Sequence, residues 1–146
     1  MTVYANYSAV RFQRDGAILT ITMSNPGARN ACSRAMHEEL PRAFAEIAKD
    51  RAVRVVVLTG DPAEGAFCAG GDLSWLREVG GNADKFAEVM QDGRDIVRNM
   101  LDTPQPIIAM INGPAIGLGC TLALHCDLAY MDEETMIADP HVRVGV

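Results

Sequence analysis

The sequence predicts an α/β fold on a mostly parallel sheet, and three stretches carry that prediction. Val53–Thr59 is a short, β-branched run bounded by turn residues, and it feeds the loop Gly65-Ala66-Phe67-Cys68-Ala69-Gly70-Gly71-Asp72-Leu73. Pro106–Ile111 repeats the logic: an apolar run behind two prolines enters Asn112-Gly113-Pro114-Ala115-Ile116-Gly117-Leu118-Gly119-Cys120 and then a helical Thr121–Cys126. At the start, Ser8–Arg14 and Ala17–Met23 flank Asp15-Gly16, a strong hairpin signal. Strands separated by helices need crossover connections, and these favour parallel pairing.

The remaining elements follow in order. Ser24–Ala31 is a loop by composition. Ser33 is placed to cap a helix running to Lys49, with Met36, Leu40, Phe44 and Ile47 on its apolar face. Pro41 inside it predicts a kink or two shorter pieces. His37 falls on the exposed side of that helix. Asp72 caps a short helix through Glu78, and Gly80-Gly81-Asn82 breaks the chain. Ala83–Leu101 is a longer helix with Phe86, Val89, Met90, Ile96, Val97 and Met100 on one side, ended by Thr103-Pro104-Gln105-Pro106. Asp127–Met131 and Thr135–Ala138 read as short strands, and His141–Val146 has strand or loop character. The order β-β-α-β-α-α-β-α-β-β contains no linker or repeat, so residues 1–146 are expected to form one domain.

Composition narrows the function. A hydrophobic fraction of 49% with 22% charged residues is that of an ordinary globular chain. A net charge of −6 argues against a general nucleic-acid surface. It does not argue against a phosphate-bearing ligand, which one arginine and a helix N-terminus can hold. No apolar run reaches the roughly 18 residues of a membrane span, and Met1–Tyr7 lacks the pattern of a signal peptide. Cys32, Cys68, Cys120 and Cys126 have no paired spacing and read as reduced thiols, so a cytoplasmic location is expected. Neither the cysteines nor His125 have zinc-ligand spacing, so no metal is expected. The end of the chain in strand-like residues implies a longer protein beyond Val146.

A strand that runs into a glycine loop and then a helix aims free backbone N–H groups at one spot, which suits an anion or an oxygen that becomes anionic. Two such units can supply two donors to one oxygen, which points to chemistry on a carbonyl. The glycines of the second loop do not fit the GxGxxG spacing of a dinucleotide site.

Three segments together resemble the crotonase superfamily, the enoyl-CoA hydratase/isomerase family. They are Asn25-Pro26 with Asn30-Ala31, Ala66–Leu73, and Ile111–Cys120. The resemblance covers nearly the whole chain but only about the first half of a family member; the C-terminal helical part is absent. It implies a spiral of repeated β-β-α units, assembly as homotrimers or hexamers, and an acyl-CoA thioester substrate with no tightly bound cofactor. By motif, the thioester oxygen would lie between the backbone N–H groups of Gly71 and Leu118. Ala28, Arg29, Ala69, Gly70, Gly71, Asp72 and Leu73 would line the coenzyme A path, with Arg29 as phosphate partner.

Two departures bear on mechanism. Hydratases of the family carry two acid/base glutamates. Here the first position is Thr121, and the second, in a Pro-Glu pair, is His141 after Pro140. A threonine hydroxyl is too weak an acid or base to replace glutamate, so Thr121 is read as lining the site. A histidine, with an ordinary pKa of about 6.5, can take either role. Asp139 would share a face with His141 if the segment is extended. The stretch Asp139-Pro140-His141 to Gly145 also resembles the carbon–carbon bond hydrolases of the superfamily, which act on β-dicarbonyl substrates and pair a histidine here with an aspartate several residues on, expected past Val146. Three functions therefore stand: an enoyl-CoA hydratase or isomerase with His141 as acid/base, a carbon–carbon bond hydrolase using His141, and a non-catalytic CoA-binding relative.

Overall fold

The computed structural model describes residues 4–144; the first three residues of the N-terminal stretch, and Gly145 and Val146 of the last one, lie outside it. Strands β1 (Val10–Asp15) and β2 (Ile18–Met23) form the expected antiparallel hairpin about Asp15-Gly16. Strands β3 (Val55–Gly60) and β4 (Ile107–Ile111) then add in parallel beside β2. A two-residue strand, β5 (Ala115–Ile116), leaves this sheet, and β6 (Leu128–Met131) returns to its edge beside β4. The last strand, β7 (Ile137–Ala138), pairs with β5 in a small second parallel sheet, so the main order is β1-β2-β3-β4-β6. The fold class is as expected. Strand β5 is not, because two residues are too few to show a period.

One face of the main sheet is the core. Leu19, Ile21 and Met23 of β2, Val56 and Leu58 of β3, and Ile107, Ala109 and Ile111 of β4 share that face and are all buried. Helix α1 (Arg34–Ile47) covers them with Met36, Leu40, Phe44 and Ile47. Each such side chain contributes about 1.5–3 kcal/mol relative to exposure. Ser33 caps α1 as expected, its Oγ accepting from Met36 N at 3.3 Å. The helix runs as one piece through Pro41 rather than as two. The proline removes one N–H donor, while its own carbonyl accepts from Asn99 Nδ2 at 2.9 Å.

Helix α2 (Leu73–Gly80) and helix α3 (Ala83–Asp102) form a hairpin beside α1. Two expectations fail here. Only Ile96 and Met100 of the α3 stripe are buried, while Phe86 and Met90 are 46% and 44% exposed. At about 30 Å, α3 outruns α1, and its first half projects with α2. His37, expected in solvent, is buried where α2 and α3 close over α1. Its ring lies 5.2 Å from that of Trp75, and its Nδ1 is 3.9 Å from Asp92 Oδ2 with no hydrogen-bond partner. Burial pushes its pKa below the ordinary histidine value, only partly offset by Asp92 and Glu38.

Helix α4 (Leu118–Leu124) starts earlier than the expected Thr121. The chain ends in a helical turn, α5 (His141–Val144), where a strand or loop was expected. Its start explains the difference: Asp139 Oδ1 accepts from His141 N at 3.1 Å, and Pro140 O accepts from Arg143 N at 2.8 Å. At the other end, buried Glu39 accepts from Ser8 N, Ser8 Oγ, Ala9 N and Val10 N at 2.7–3.1 Å and ties the N-terminal segment to α1.

Candidate functional site

The site lies where the loop after β3 crosses the loop after β4. Glu64 Oε2 accepts from Gly27 N at 2.9 Å and Arg29 N at 3.2 Å, which holds the loop after β2 against the loop after β3. Buried Asn30 extends this link. Its Nδ2 donates to Asp61 O at 3.0 Å and Ala66 O at 2.8 Å, and its Oδ1 accepts from Asn25 N.

Residues 66–72 then run between two neighbours. On one side, Ala69 N donates to Arg29 O, Cys32 N to Gly70 O, and Asp72 N to Cys32 O. On the other, Phe67 N and Cys68 N donate to Pro114 O, and Ile116 N donates to Cys68 O at 2.9 Å. Gly70 O and Asp72 N both turn toward Cys32. Extended backbone alternates, so the Gly71 N–H between them faces the second loop. Among the described residues it has no backbone or side-chain acceptor.

Helix α2 starts directly after Gly71. The Asp72 carboxylate accepts from Ser74 N and Trp75 N, as the sequence predicted. These bonds, led by that from the Ser74 side chain, hold its pKa below the usual carboxylate range. Helix α4 starts differently. Gly117 is its N-cap, at φ 54° and ψ −115°, and contributes no side chain. The Leu118 N–H lies in the first turn, where no intrahelical acceptor exists. Gly119 seats this turn on the first loop: a Cβ there would fall 2.3 Å from Cys68 O.

The two loops meet at their glycines. A Cβ at Gly117 would lie 3.8 Å from Gly70 Cα and 3.7 Å from His141 Nε2. The His141 ring is oriented by a direct Nδ1 contact with Asp139 Oδ1, so the pairing expected from an extended strand arises from a helix start instead. Thr121 sits within α4 and donates from Oγ1 to Gly117 O at 3.3 Å. His125 closes the same helix, its Nδ1 2.7 Å from Thr121 O.

Ala69, Gly70, Gly71, Leu118 and His141 thus gather at one crossing. Ala28 and Arg29 join it through the bond from Ala69 N to Arg29 O; the Arg29 side chain is exposed, and its backbone adopts φ 52°. Leu73 is 61% exposed and turns outward. Burial raises the thiols of Cys32, Cys68 and Cys120, Cys68 to about 11, so none is a thiolate near neutrality. Among the described residues, no three His, Cys, Asp or Glu side chains are grouped to hold a metal. The motif reading passed over the roles of Glu64, Asn30 and Asn112. The available signal was an asparagine in each connecting segment, in the loop Arg29-Asn30-Ala31 and directly after β4 in Ile111-Asn112-Gly113.

Comparisons with known proteins identify the family. The enoyl-CoA hydratase/isomerase family model matches residues 13–146. The mitochondrial enoyl-CoA hydratase domain-containing protein 3 of Mus musculus is 37% identical over 92% of this chain and 43% of its own length. A probable enoyl-CoA hydratase of Mycobacterium bovis is 37% identical over 89% of this chain and 49% of its own. Another relative, from Arabidopsis thaliana, is named a probable peroxisomal enoyl-CoA hydratase. Among solved structures, an enoyl-CoA hydratase/isomerase from Mycobacterium paratuberculosis superposes with a TM-score of 0.92 at 38% identity, covering 98% of this chain and 57% of that one. The chain spans about half the length of the curated relatives it matches. With the family match, the shared fold and the two crossing glycine loops in hand, the chain belongs to the enoyl-CoA hydratase/isomerase family, within the crotonase superfamily.

Proposed function

We propose that this chain binds an acyl-CoA thioester and stabilises its enolate with the Gly71 and Leu118 N–H groups. The observation that supports this reading is the approach of Gly70 to Gly117, next to which the Gly71 and Leu118 N–H groups have no acceptor among the described residues. Removing a proton beside a thioester, or adding water to an α,β-unsaturated one, puts negative charge on the carbonyl oxygen. A preorganised donor there is worth about 3–4 kcal/mol.

The acid/base work falls to His141. Its Nδ1 is engaged by Asp139, and its Nε2 lies beside the Gly117–Leu118 turn. In a hydration, Nε2 takes a proton from water as the oxygen adds to Cβ. The electron pair moves onto the thioester oxygen, and the proton is then delivered to Cα. Thr121 lines the site without titrating. Ala28, Arg29 and Ala69–Leu73 border the coenzyme A path, with Arg29 exposed to meet phosphate. No cofactor is needed beyond the coenzyme A of the substrate.

One observation favours a second reading. An aspartate-oriented histidine, rather than a pair of carboxylates, also suits a hydrolase that cleaves a carbon–carbon bond in a β-dicarbonyl substrate. Self-assembly into trimers or hexamers belongs to the same proposal. It is supported by the exposed apolar run of Leu128, Tyr130 and Met131 beside Met110. Free thiols fit a reducing compartment.

Loss of the enoyl thioester absorbance of crotonyl-CoA tests the reaction. The wild-type chain should consume it, and His141→Ala should be slower by about a hundredfold or more. Full activity in His141→Ala would remove His141 from the chemistry. No turnover of crotonyl-CoA with cleavage of a β-dicarbonyl substrate would select the second reading.

A further inference from the structure

The ladder between β3 and β4 ends in an unusual rung. Val56 N donates to Pro106 O, so the alternate residues Leu58 and Gly60 also face β4. The register ends with Thr59 opposite Met110, whose carbonyl also accepts from Thr59 Oγ1 at 2.9 Å, and a regular continuation would next have Asn112 N donate to Gly60 O. Both polar atoms of Gly60 are taken by one side chain: Asn112 Nδ2 donates to Gly60 O at 2.8 Å, and Asn112 Oδ1 accepts from Gly60 N at 3.2 Å. Asn112 Nδ2 takes the place of its own backbone N–H at Gly60 O, so the backbone of Asn112 is released to turn off the sheet while the strand ends stay joined.

That release sets the crossing. Directly after it, a Cβ at Gly113 would fall 2.8 Å from Ala66 Cα, so the second loop passes over the first at contact distance. Asn30 holds the first loop at the same place, through Asp61 O and Ala66 O. Its own Nδ2 is so close to Gly60 that a Cβ there would lie 2.8 Å away. Two buried or half-buried amides thus pin both loops to the end of β3, and neither reaches the crossing itself.

We propose that Asn112 and Asn30 are positioning residues that set the spacing between the Gly71 and Leu118 N–H groups, and so how evenly both hold one carbonyl oxygen. This rests on the donor-pair reading above. A displacement of about 1 Å in such a pair is costly to the chemistry while leaving ligand contacts elsewhere intact. Asn112→Asp is the sharpest probe, because it keeps the size and the acceptor while replacing the Nδ2–H donor with a carboxylate oxygen that repels Gly60 O.

The experiment is the red shift of the absorbance of cinnamoyl-CoA, a conjugated thioester, on binding to the chain. It is read at saturating ligand, with the Kd measured alongside and far-UV circular dichroism as the fold control. Asn112→Asp and Asn30→Asp should each lose about half of the wild-type shift or more, while the Kd changes by less than about threefold. A wild-type shift retained in both variants overturns the assignment. So does a loss of shift that merely follows a loss of affinity, or unfolding of both variants, since each makes the amides purely structural. Absence of a shift in the wild-type chain, with binding intact, instead overturns the donor-pair reading on which the assignment stands.

Discussion

The two helix starts at the crossing make opposite use of the same backbone geometry. At α2, the Asp72 carboxylate accepts from Ser74 N and Trp75 N, so the second and third donors of the first turn are satisfied internally. At α4, Gly117 offers no side chain, and the Leu118 N–H stays available. Every helix N-terminus carries orphan donors and a partial positive charge. The two starts differ in whether the cap residue has a side-chain oxygen for the second and third of these donors. The proposed donors flank the caps: Gly71 lies just before Asp72, and Leu118 just after Gly117.

The largest effect is expected from Gly119→Ala. A methyl group 2.3 Å from Cys68 O cannot be accommodated without moving α4 off the first loop. We expect a loss of about 3 kcal/mol in urea unfolding, together with the loss of the bound-thioester shift. Retention of both would show that α4 is not seated on Cys68.

Gly117→Asp would set a carboxylate charge beside the proposed Leu118 donor, where the oxygen is to become anionic. Its Cβ has room, 3.7–3.8 Å from its neighbours, but φ 54° with ψ −115° is a glycine conformation. A stability cost of about 2 kcal/mol should accompany a fall in turnover of about a hundredfold. Unchanged turnover in a folded Gly117→Asp variant would contradict the role of the Leu118 donor.

The converse change, Asp72→Ala, should cost about 1 kcal/mol through the lost cap. The Asp72 pKa is depressed in the fold, so its contribution is present above the unfolded carboxylate value and is lost as pH falls through the lower folded one. Urea midpoints of wild type and Asp72→Ala should therefore converge below about pH 4. A constant difference down to pH 2 would show that the carboxylate is not the capping group.

The smallest effect is expected at His37, against which Trp75 of α2 packs. Its folded pKa is lowered, so stability should be level above about pH 6.5 and decline as protonation begins below it. Asp92 shifts the other way, raised chiefly by burial, so its own penalty is relieved as pH falls through its raised pKa toward the ordinary carboxylate value. His37→Phe should flatten the urea midpoint between pH 7.5 and 5.5. An unchanged slope would place the titration elsewhere.

Much of this arrangement was legible in the sequence, for local reasons. Asp15-Gly16, Ser33, Asp72 and the two glycine loops each act through the backbone of their own neighbourhood, and each lies where residue type placed it. What was not legible depends on distant partners. His37 reads as exposed from the period of α1, and only the overlay of α2 and α3 buries it. Phe86 and Met90 share one side of α3 with Ile96 and Met100, as the period shows, but α1 is too short to cover them. The helical turn at His141 follows from the Asp139 and Pro140 acceptors, not from the apolar pattern of Val142 and Val144. Strand β5 exists through its partners at Cys68 and β7. The open donors were legible as motif positions, but their meeting at Gly70 and Gly117 belongs to the crossing.

The most direct test of the central claim is the infrared band of a thioester carbonyl, labelled with carbon-13 in crotonyl-CoA and bound to the chain. Two donors from Gly71 and Leu118 predict a bound band at lower wavenumber than in water, and Gly117→Asp should return it toward the free position. A ligand shown to bind by calorimetry, yet with its carbonyl band at the free frequency, would contradict the account.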